Sequence, residues 1–300
     1  MLRKLAMFAT SVLLGNLVLF TGAKPGLAGT VLENIARSGK FNVGTSFQLI
    51  PYSYYNDKDE HVGYSVDIVK LIRDSLEKEL GRSIELNFIE TNSLAETFPK
   101  LATGEIDITC NTVFTWDRDA HADFTTRYAI SGVRLLAKKD QAQNTSWEGK
   151  RIGIPPVTFL DDVMKLKHPK ATLVRMNSSE EAIDALKSGE VDAIAGDSII
   201  LDGYRQRSGA DDYQLFPARE DPPYAQYGVA CMIPENNSAF LNIANKAIIT
   251  MMEGYIVGEP KYTNLVGTWF GPQGVIQVQN PELVKQFFDS IILNYEQIPF

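Results

Sequence analysis

The 300-residue chain is poor in the residues that build metal centres and cross-linked frameworks. It has two cysteines and three histidines. That number of cysteines excludes a disulfide-stapled miniprotein and any cysteine-built zinc or iron–sulfur site. The histidines, at positions 61, 121 and 168, are far apart in sequence and form no HxxxH pair. We therefore expect neither a metal site nor a cofactor.

Positive charge is also scarce, with 29 Lys and Arg against 37 Asp and Glu and a formal net charge of -8. A nucleic-acid partner is not expected, because binding to phosphates requires a basic surface. The content of 44% hydrophobic and 22% charged residues is typical of globular proteins and excludes a disordered chain. The length leaves room for two domains.

Long hydrophobic runs are absent except at the N-terminus. Arg3 and Lys4 precede an apolar run at residues 5–20, and small residues such as Ala23 and Ala28 follow it. This order is typical of a secretory signal peptide, which we place at residues 1–28. The apolar run is shorter than the roughly 20 residues of a membrane-spanning helix, so an uncleaved anchor is the weaker alternative. We expect an exported, periplasmic protein.

One sequence phrase occurs twice. The pattern L-x-x-G-E-[IV]-D stands at residues 101–107 and again at 186–192. Helix-like apolar spacing precedes each copy, and Gly104 and Gly189 fit left-handed helix stops. A second echo, Gly-Lys before a strand-like run, begins at positions 39 and 149. Two echoes in the same order favour two α/β lobes of similar plan.

The alternation of strand-like and helix-like segments predicts a mainly parallel sheet with right-handed crossovers. Predicted strands lie at residues 41–45, 84–89, 106–110, 151–154, 172–174 and 192–195. Predicted helices lie at residues 65–80, 95–102, 160–166, 179–187, 198–206, 238–252 and 281–293, with a further helix ending at residue 269. Extended runs at 133–137 and 227–233 connect the lobes. We assign residues 29–133 and 231–300 to lobe one and residues 134–230 to lobe two. A ligand would lie between the lobes, at the carboxyl ends of the strands.

Nine short segments, in a fixed order, resemble a known family. They are G-T at 44–45, P-Y-S-Y-Y at 51–55, V-G-Y-S-V-D-I at 62–68, G-E-I-D-I at 104–108, T-W-D-R at 115–118, D-F-T-T-R-Y at 123–128, G-E-V-D-A at 189–193, Y-G-V-A at 227–230 and G-T-W-F-G at 267–271. Over about residues 39–271 the chain is similar to bacterial extracellular solute-binding proteins of amino-acid ABC importers, and the glutamate/aspartate-binding branch is nearest.

The resemblance implies an α/β, two-lobed periplasmic-binding-protein fold of type II, with a ligand cleft between lobes joined by two crossover strands. It also implies an extracytoplasmic receptor that captures a free L-amino acid and delivers it to the membrane permease of an ABC transporter. Such a receptor acts as a monomer and needs no catalytic residue.

A free amino acid presents a carboxylate and an ammonium group, and both need charged partners when they are buried. The resemblance assigns the carboxylate to Arg118, whose planar fork makes two parallel hydrogen bonds. A solvated surface arginine is the alternative. The ammonium group is assigned to Asp197, which is also suited to cap the helix that starts at Ser198; both roles can hold.

The resemblance assigns three further residues to the binding of the ligand's carboxylate and ammonium groups. Thr112 and Phe114 match positions that offer a hydroxyl and a backbone N–H beside the arginine. Thr158 starts a lobe-two helix, where its hydroxyl and the free N–H groups favour a carboxylate. An ordinary helix cap is the alternative for Thr158.

The predicted side-chain pocket departs from the acidic-ligand branch. Ser46 stands where that branch has an arginine, Leu94 and Thr97 stand at polar or basic positions, and Ser179 replaces a histidine. Leu49 stands where many relatives have a stacking aromatic residue, and Phe159 is a further apolar residue expected in this pocket. An unpaired side-chain carboxylate would cost several kcal/mol. We therefore expect a neutral or polar amino acid.

The two cysteines lie on strands that are neighbours in folds of this family. Because an exported protein meets oxidising conditions, we expect a disulfide between Cys110 and Cys231, with two buried thiols as the alternative.

Two other functions remain open from the residues alone. Dehydratases share the fold, and Glu90, Glu96 or Asp161 would be candidate acids or bases, but the sequence marks out no carboxylate pair. A ligand-sensing domain of a receptor is the third possibility.

Overall fold

The computed structural model describes residues 30–140, 146–156, 158–208 and 212–295. The predicted signal peptide, residues 1–28, lies outside these ranges. The strands are β1 Lys40–Thr45, β2 Gln48–Leu49, β3 Ser53–Tyr55, β4 His61–Val62, β5 Glu85–Glu90, β6 Ile108–Val113, β7 Asp123–Phe124, β8 Ala129–Lys138, β9 Arg151–Ile154, β10 Thr172–Arg175, β11 Ala193–Asp197, β12 Tyr213–Phe216 and β13 Ala225–Ile233. The helices are α1 Val31–Ser38, α2 Tyr64–Leu80, α3 Leu94–Thr103, α4 Trp116–Asp119, α5 Thr158–Lys167, α6 Ser179–Ser188, α7 Ser198–Arg207, α8 Ser238–Ile256, α9 Pro260–Trp269 and α10 Glu282–Tyr295.

One sheet runs through the molecule in the order β10-β9-β11-β8-β13-β6-β1-β5. Its two ends are parallel, with β1 between β5 and β6 and with β9 between β10 and β11. The middle is antiparallel, because the chain leaves along β8 and returns along the adjacent β13. The expected mainly parallel sheet is therefore correct at each end and wrong in the centre.

Apolar side chains form separate cores on the two sides of this centre. Two clusters are built from residues before Val133 and after Gly228, and include Phe41, Ile108 and Met232. Two others are built from residues between those points, and include Val133 and Leu136. We call these sides lobe one and lobe two, and we propose for them the limits expected from the sequence, 29–133 with 231–300 and 134–230. At these limits the side chain of Val133 packs in the lobe-two core and that of Val229 in the lobe-one core.

The repeated phrase adopts the same local structure in both lobes. Ser93 and Ser178 cap α3 and α6 through their side chains. The helices end at Gly104 and Gly189, with φ of 73° and 79°. Both left-handed stops were expected from the sequence. Each phrase then leads into a buried strand of its lobe, as the repeat predicts.

The predicted disulfide is confirmed. Cys110 and Cys231 are bonded across the antiparallel pair β6 and β13. The pairing register is irregular between Ala230 and Met232, where Cys231 lies.

The small sheet β2-β3-β4 was not expected, because its strands are only two or three residues long and show no periodicity. Ser53 of this sheet hydrogen-bonds with Thr45 at the end of β1, and Gln48 and Leu49 line the cavity described below. In the described part of the chain no helix has the length and apolar character required to cross a bilayer.

Candidate functional site

A cavity of about 600 Å³ lies between the lobes. This volume is in the range of small-molecule sites, about 300–1,000 Å³. The cavity meets the carboxyl ends of β1, β6, β9 and β11, where Thr45, Val113, Pro155 and Asp197 line it. Both lobes thus contribute strand ends to one space.

Arg118 enters the cavity from lobe one. Thr115 caps the short helix α4 by accepting a hydrogen bond from the Arg118 backbone N–H, which fixes the T-x-x-R turn. Arg118 is only 8% exposed. Its Nη1 donates to the Val113 carbonyl at 2.7 Å and to Thr112 Oγ1 at 3.5 Å. Burial lowers the pKa of this guanidinium, and the residues that the structure describes place no carboxylate beside it as an ion-pair partner.

Asp197 enters from lobe two. It caps α7, where its Oδ1 accepts hydrogen bonds from the Ile199 and Ile200 backbone N–H groups at 2.9 and 3.1 Å. Its Oδ2 accepts the Tyr227 hydroxyl at 2.8 Å. Burial raises the pKa of this carboxyl, and the hydrogen bonds only partly oppose the increase. All these partners are neutral.

The cavity thus holds a cation from one lobe and an anion from the other, neither balanced by an opposite charge of the described chain. Tyr227 links them: its hydroxyl donates to Asp197, and the charge of Arg118 also acts on it. A desolvated charge without a partner is costly. The arrangement is therefore complementary to a small zwitterion.

Most other residues expected at the site line the cavity. Those from lobe one are Ser46, Leu49, Leu94, Thr97 and Thr112; those from lobe two are Phe159 and Ser179. The structure does not bring Phe114 to the cavity lining. Phe114 was expected to offer its backbone N–H; its side chain packs against Trp116 and Phe124, and the residue is 40% exposed. Thr158 begins α5, but its side chain lies outside the described part of the structure.

Sequence reasoning missed several lining residues. Thr45 and Tyr227 lie in segments that matched the family, but the match gave them no role. Glu96 and Glu180 are two acidic side chains on the lining. Glu96 was expected only as a candidate acid or base of an enzyme, and Glu180 was not expected at all. Each stands in the first turn of a helix, α3 or α6, where acidic residues are common.

Of the three candidate acids, Glu96 lies on the lining and accepts the Asn92 backbone N–H at 2.9 Å. Asp161 is held by Lys165 and Arg175 at 2.6 and 2.8 Å, and Glu90 is absent from the lining found among the described residues. Within the described ranges, no group of three or more His, Cys, Asp or Glu side chains is arranged to hold a metal ion.

Comparison with known proteins identifies the family. The family model "Bacterial extracellular solute-binding proteins, family 3" matches residues 41–272, more than half of the chain.

The chain belongs to this solute-binding protein family.

Among curated relatives of this solute-binding protein is the "Glutamate/aspartate import solute-binding protein" of Salmonella typhimurium, 27% identical over 74% of this chain and 74% of the relative. Another is the "ABC transporter arginine-binding protein 1" of Escherichia coli, 25% identical over 77% of this chain and 90% of the relative. Both are named as binding proteins.

The fold agrees with a solved amino-acid ABC transporter substrate-binding protein from Streptococcus pneumoniae bound to L-arginine. The TM-score is 0.67, at 20% identity, over 80% of this chain and 97% of the solved chain. The expected fold class, a two-lobed periplasmic-binding-protein fold of type II, is confirmed.

Proposed function

We propose that this solute-binding protein captures a free L-amino acid in the cavity and delivers it to the membrane permease of an ABC importer. The observation that carries the proposal is the pair of charges without ionic partners, Arg118 and Asp197, on opposite lobes of one cavity. The α-carboxylate binds Arg118 and the α-ammonium binds Asp197. No chemical step is required, and the protein acts as an exported monomer.

Closure of the lobes follows from the same geometry. Since each end of the amino acid is held by a different lobe, only a closed arrangement pairs both ends. The strands β8 and β13 connect the lobes and are the hinge in this proposal.

The proposed ligand side chain is neutral or polar. Among the described residues that line the cavity, Arg118 is the only Lys or Arg. Arg175, which is ion-paired with Asp161, lies away from this lining, as does Arg127, which packs beside Gly228. A side-chain carboxylate would find Glu96 and Glu180 rather than a cation.

A thermal-shift screen of the twenty amino acids on the mature protein, followed by calorimetry, tests the proposal. Arg118→Ala should lose on the order of 3–5 kcal/mol of binding free energy, because it removes one partner of a buried ion pair, or about two to four decades in affinity. Asp197→Asn keeps a good helix cap but loses the charge, and should also bind weakly.

Arg175→Ala is the matched control, since it removes an exposed lobe-two arginine whose partner is Asp161. It should bind like wild type. Affinity of Arg118→Ala within about threefold of wild type would remove Arg118 from the site.

Competition between L-glutamine and L-glutamate tests the ligand class. Glutamate should bind at least about tenfold more weakly, a difference of about 1.4 kcal/mol. Tighter binding of glutamate would show that the pocket accepts an acidic side chain. Tighter binding of L-arginine than of L-glutamine would shift the ligand class to cationic amino acids.

A further inference from the structure

A short chain of hydrogen bonds leads from the cavity wall to a histidine. Thr45 Oγ1 lies 2.8 Å from Ser53 Oγ, which lies 2.8 Å from His61 Nε2. Thr45 lines the cavity and is 9% exposed, and Ser53 is 1% exposed. Because Ser53 is shielded from water, its hydroxyl couples the other two groups directly.

Aromatic rings enclose the His61 imidazole. Its centroid lies 4.4 Å from Phe88, 4.8 Å from Phe47 and 5.5 Å from Tyr55. Burial, reinforced by the charge of Lys70, lowers the pKa of His61 below its usual 6.5. The ring is therefore neutral at pH 7.5 and becomes protonated in acid.

The charged groups around the ring are few. Lys70, on α2, is ion-paired with Asp67 at 3.1 Å. Glu60 precedes His61 in the chain and accepts a hydrogen bond from the Asn56 side chain at 2.8 Å. Tyr55, on β3, is the neighbouring phenol.

The Thr45 hydroxyl has two acceptors within reach. Ser53 Oγ lies at 2.8 Å and the Ser46 carbonyl oxygen at 3.2 Å, but one proton can be given fully to only one of them. The direction chosen depends on His61. If Nε2 is bare, Ser53 donates to it and Thr45 donates to Ser53. If Nε2 carries a proton, it donates to Ser53, Ser53 donates to Thr45, and Thr45 donates to Ser46.

We propose that His61 is a positioning residue for binding, which acts through Ser53 to hold the Thr45 hydroxyl as an acceptor for an N–H donor of the amino acid. This inference rests on the proposed function. In the neutral state both Thr45 lone pairs and the Ser46 carbonyl are open. When His61 is protonated, the Ser53 hydroxyl occupies one lone pair of Thr45, and the Thr45 hydroxyl occupies the Ser46 carbonyl. The protonated ring also adds positive charge nearby.

Acid should therefore weaken binding through this chain. A net hydrogen bond contributes about 0.5–1.5 kcal/mol, so we expect affinity about three- to tenfold lower when His61 is protonated than at pH 7.5. Calorimetry with L-glutamine, L-arginine and L-glutamate at pH 7.5 and at the acidic pH where NMR shows His61 protonated measures the effect. The comparison uses whichever of the three binds most tightly at pH 7.5.

Ser53→Ala and His61→Gln break the chain at two points, and both should bind with little of this pH dependence. His168→Gln is the matched control. His168 is likewise partly buried with a lowered pKa, but it packs against Tyr224 and Trp147 in lobe two, away from the cavity. It should keep the wild-type pH dependence. Titration of Asp197 is common to all variants and cancels in the comparison.

Nitrogen NMR of labelled histidine gives a second readout that needs no amino acid. At pH 7.5 the His61 ring should carry its proton on Nδ1, with Nε2 bare, and Ser53→Ala should move the proton toward Nε2.

Equal pH dependence in wild type and Ser53→Ala, with amino-acid binding intact, would overturn the inference and leave the proposed function standing. A protonated Nε2 in the neutral ring would overturn it as well. If none of the three amino acids binds wild type, the proposed function fails, and with it any role of His61 in binding.

Discussion

The two copies of the repeated phrase place an aspartate in the same position in each lobe, with opposite electrostatic results. Asp107 accepts the Asn42 backbone N–H at 2.8 Å beside β1, and Asp192 accepts the Arg151 backbone N–H at 2.7 Å in β9. The backbone N–H of Asp107 donates in turn to the Asn42 carbonyl, and that of Asp192 to the Arg151 carbonyl, each at 2.8 Å. The repeated motif thus forms the same pair of hydrogen bonds to the neighbouring strand in both lobes.

The surroundings differ. Asp107 is 4% exposed, and burial raises its pKa to about 6 despite the hydrogen bond from Asn42. Burial also raises the pKa of Asp192, but hydrogen bonds from Arg151 and the charges of Arg151 and Lys150 outweigh it, and the net shift is downward. The local geometry that the two copies share therefore does not determine how the aspartate ionises. The presence of a neighbouring cation does.

The lobes also differ in that the disulfide bond joins two strands of lobe one only. Removing this bond should have the largest effect on the free energy of unfolding. The disulfide between Cys110 and Cys231 is anchored in lobe one, spans 121 residues and encloses lobe two. In the chain-entropy model, closing such a loop stabilises by about 4–5 kcal/mol. The free energy of unfolding, measured in urea, should be lower by up to this amount in a Cys110→Ala, Cys231→Ala double variant than in the wild type.

Reduction of the wild type with dithiothreitol should give the same loss, and the double variant should not respond to it. A loss below about 1 kcal/mol would mean that the unfolded chain gains little freedom.

Asp107→Asn should remove a pH dependence of stability. The raised folded pKa means that the folded state binds more protons than the unfolded state between about pH 4 and 6, so stability falls as pH rises through that window. A shift from 3.8 to about 6 corresponds to roughly 3 kcal/mol. Urea unfolding at pH 4 and 7 should show this fall in wild type and not in the variant.

The difference between the two proteins isolates Asp107 from all other titrating groups. A variant that retains the full wild-type slope would show that Asp107 ionises normally.

Gly104→Ala and Gly189→Ala should have equal effects, because both residues have positive φ and an added Cβ meets no atom within 4 Å at either site. The cost is backbone strain alone, about 1–2 kcal/mol for each. Thermal or urea unfolding of the two variants measures it. A difference above about 1 kcal/mol would show that the two helix ends are not equivalent.

Asp192→Asn should have the smallest effect and the opposite sign to Asp107→Asn. Its ion pair with Arg151 is partly solvated, so the loss at pH 7 should be about 0.5–1 kcal/mol. Since the folded pKa is lowered, this stability is present above the unfolded pKa of 3.8 and disappears as the pH falls below it. Urea unfolding at pH 7 and pH 3 checks both statements.

Much of the architecture was predictable because it depends on residues that are close together in the sequence. The helix stops at Gly104 and Gly189 follow from single residues, and the alternating strands and helices of each lobe follow from apolar periodicity. Short segments were not predictable. The strands of the β2-β3-β4 sheet are too short for any period to appear. They nevertheless place Leu49 on the cavity lining and bring Ser53 and His61 into a hydrogen-bonded chain with Thr45.

The candidate site was predictable only in part. Thr112, Arg118 and Asp197 were expected together and all line one cavity, whereas Phe114 does not join them. The Phe114 side chain packs against Trp116 and Phe124, and the sequence pattern did not indicate these contacts. Tyr227, which links the two charges, had no role in the sequence expectation.

The sequence by itself determined the two-lobe plan and the helix ends, because each depends on residues close together in the chain. Its resemblance to a known family indicated which charged residues are offered to a ligand. The tertiary structure alone decided that Arg118 and Asp197 face one cavity without ionic partners, that Asp107 is shielded while Asp192 has Arg151, and that Thr45, Ser53 and His61 touch. These properties depend on burial and on contacts between distant segments, and a carboxylate or hydroxyl has the same letter in the sequence whether or not it is shielded from water.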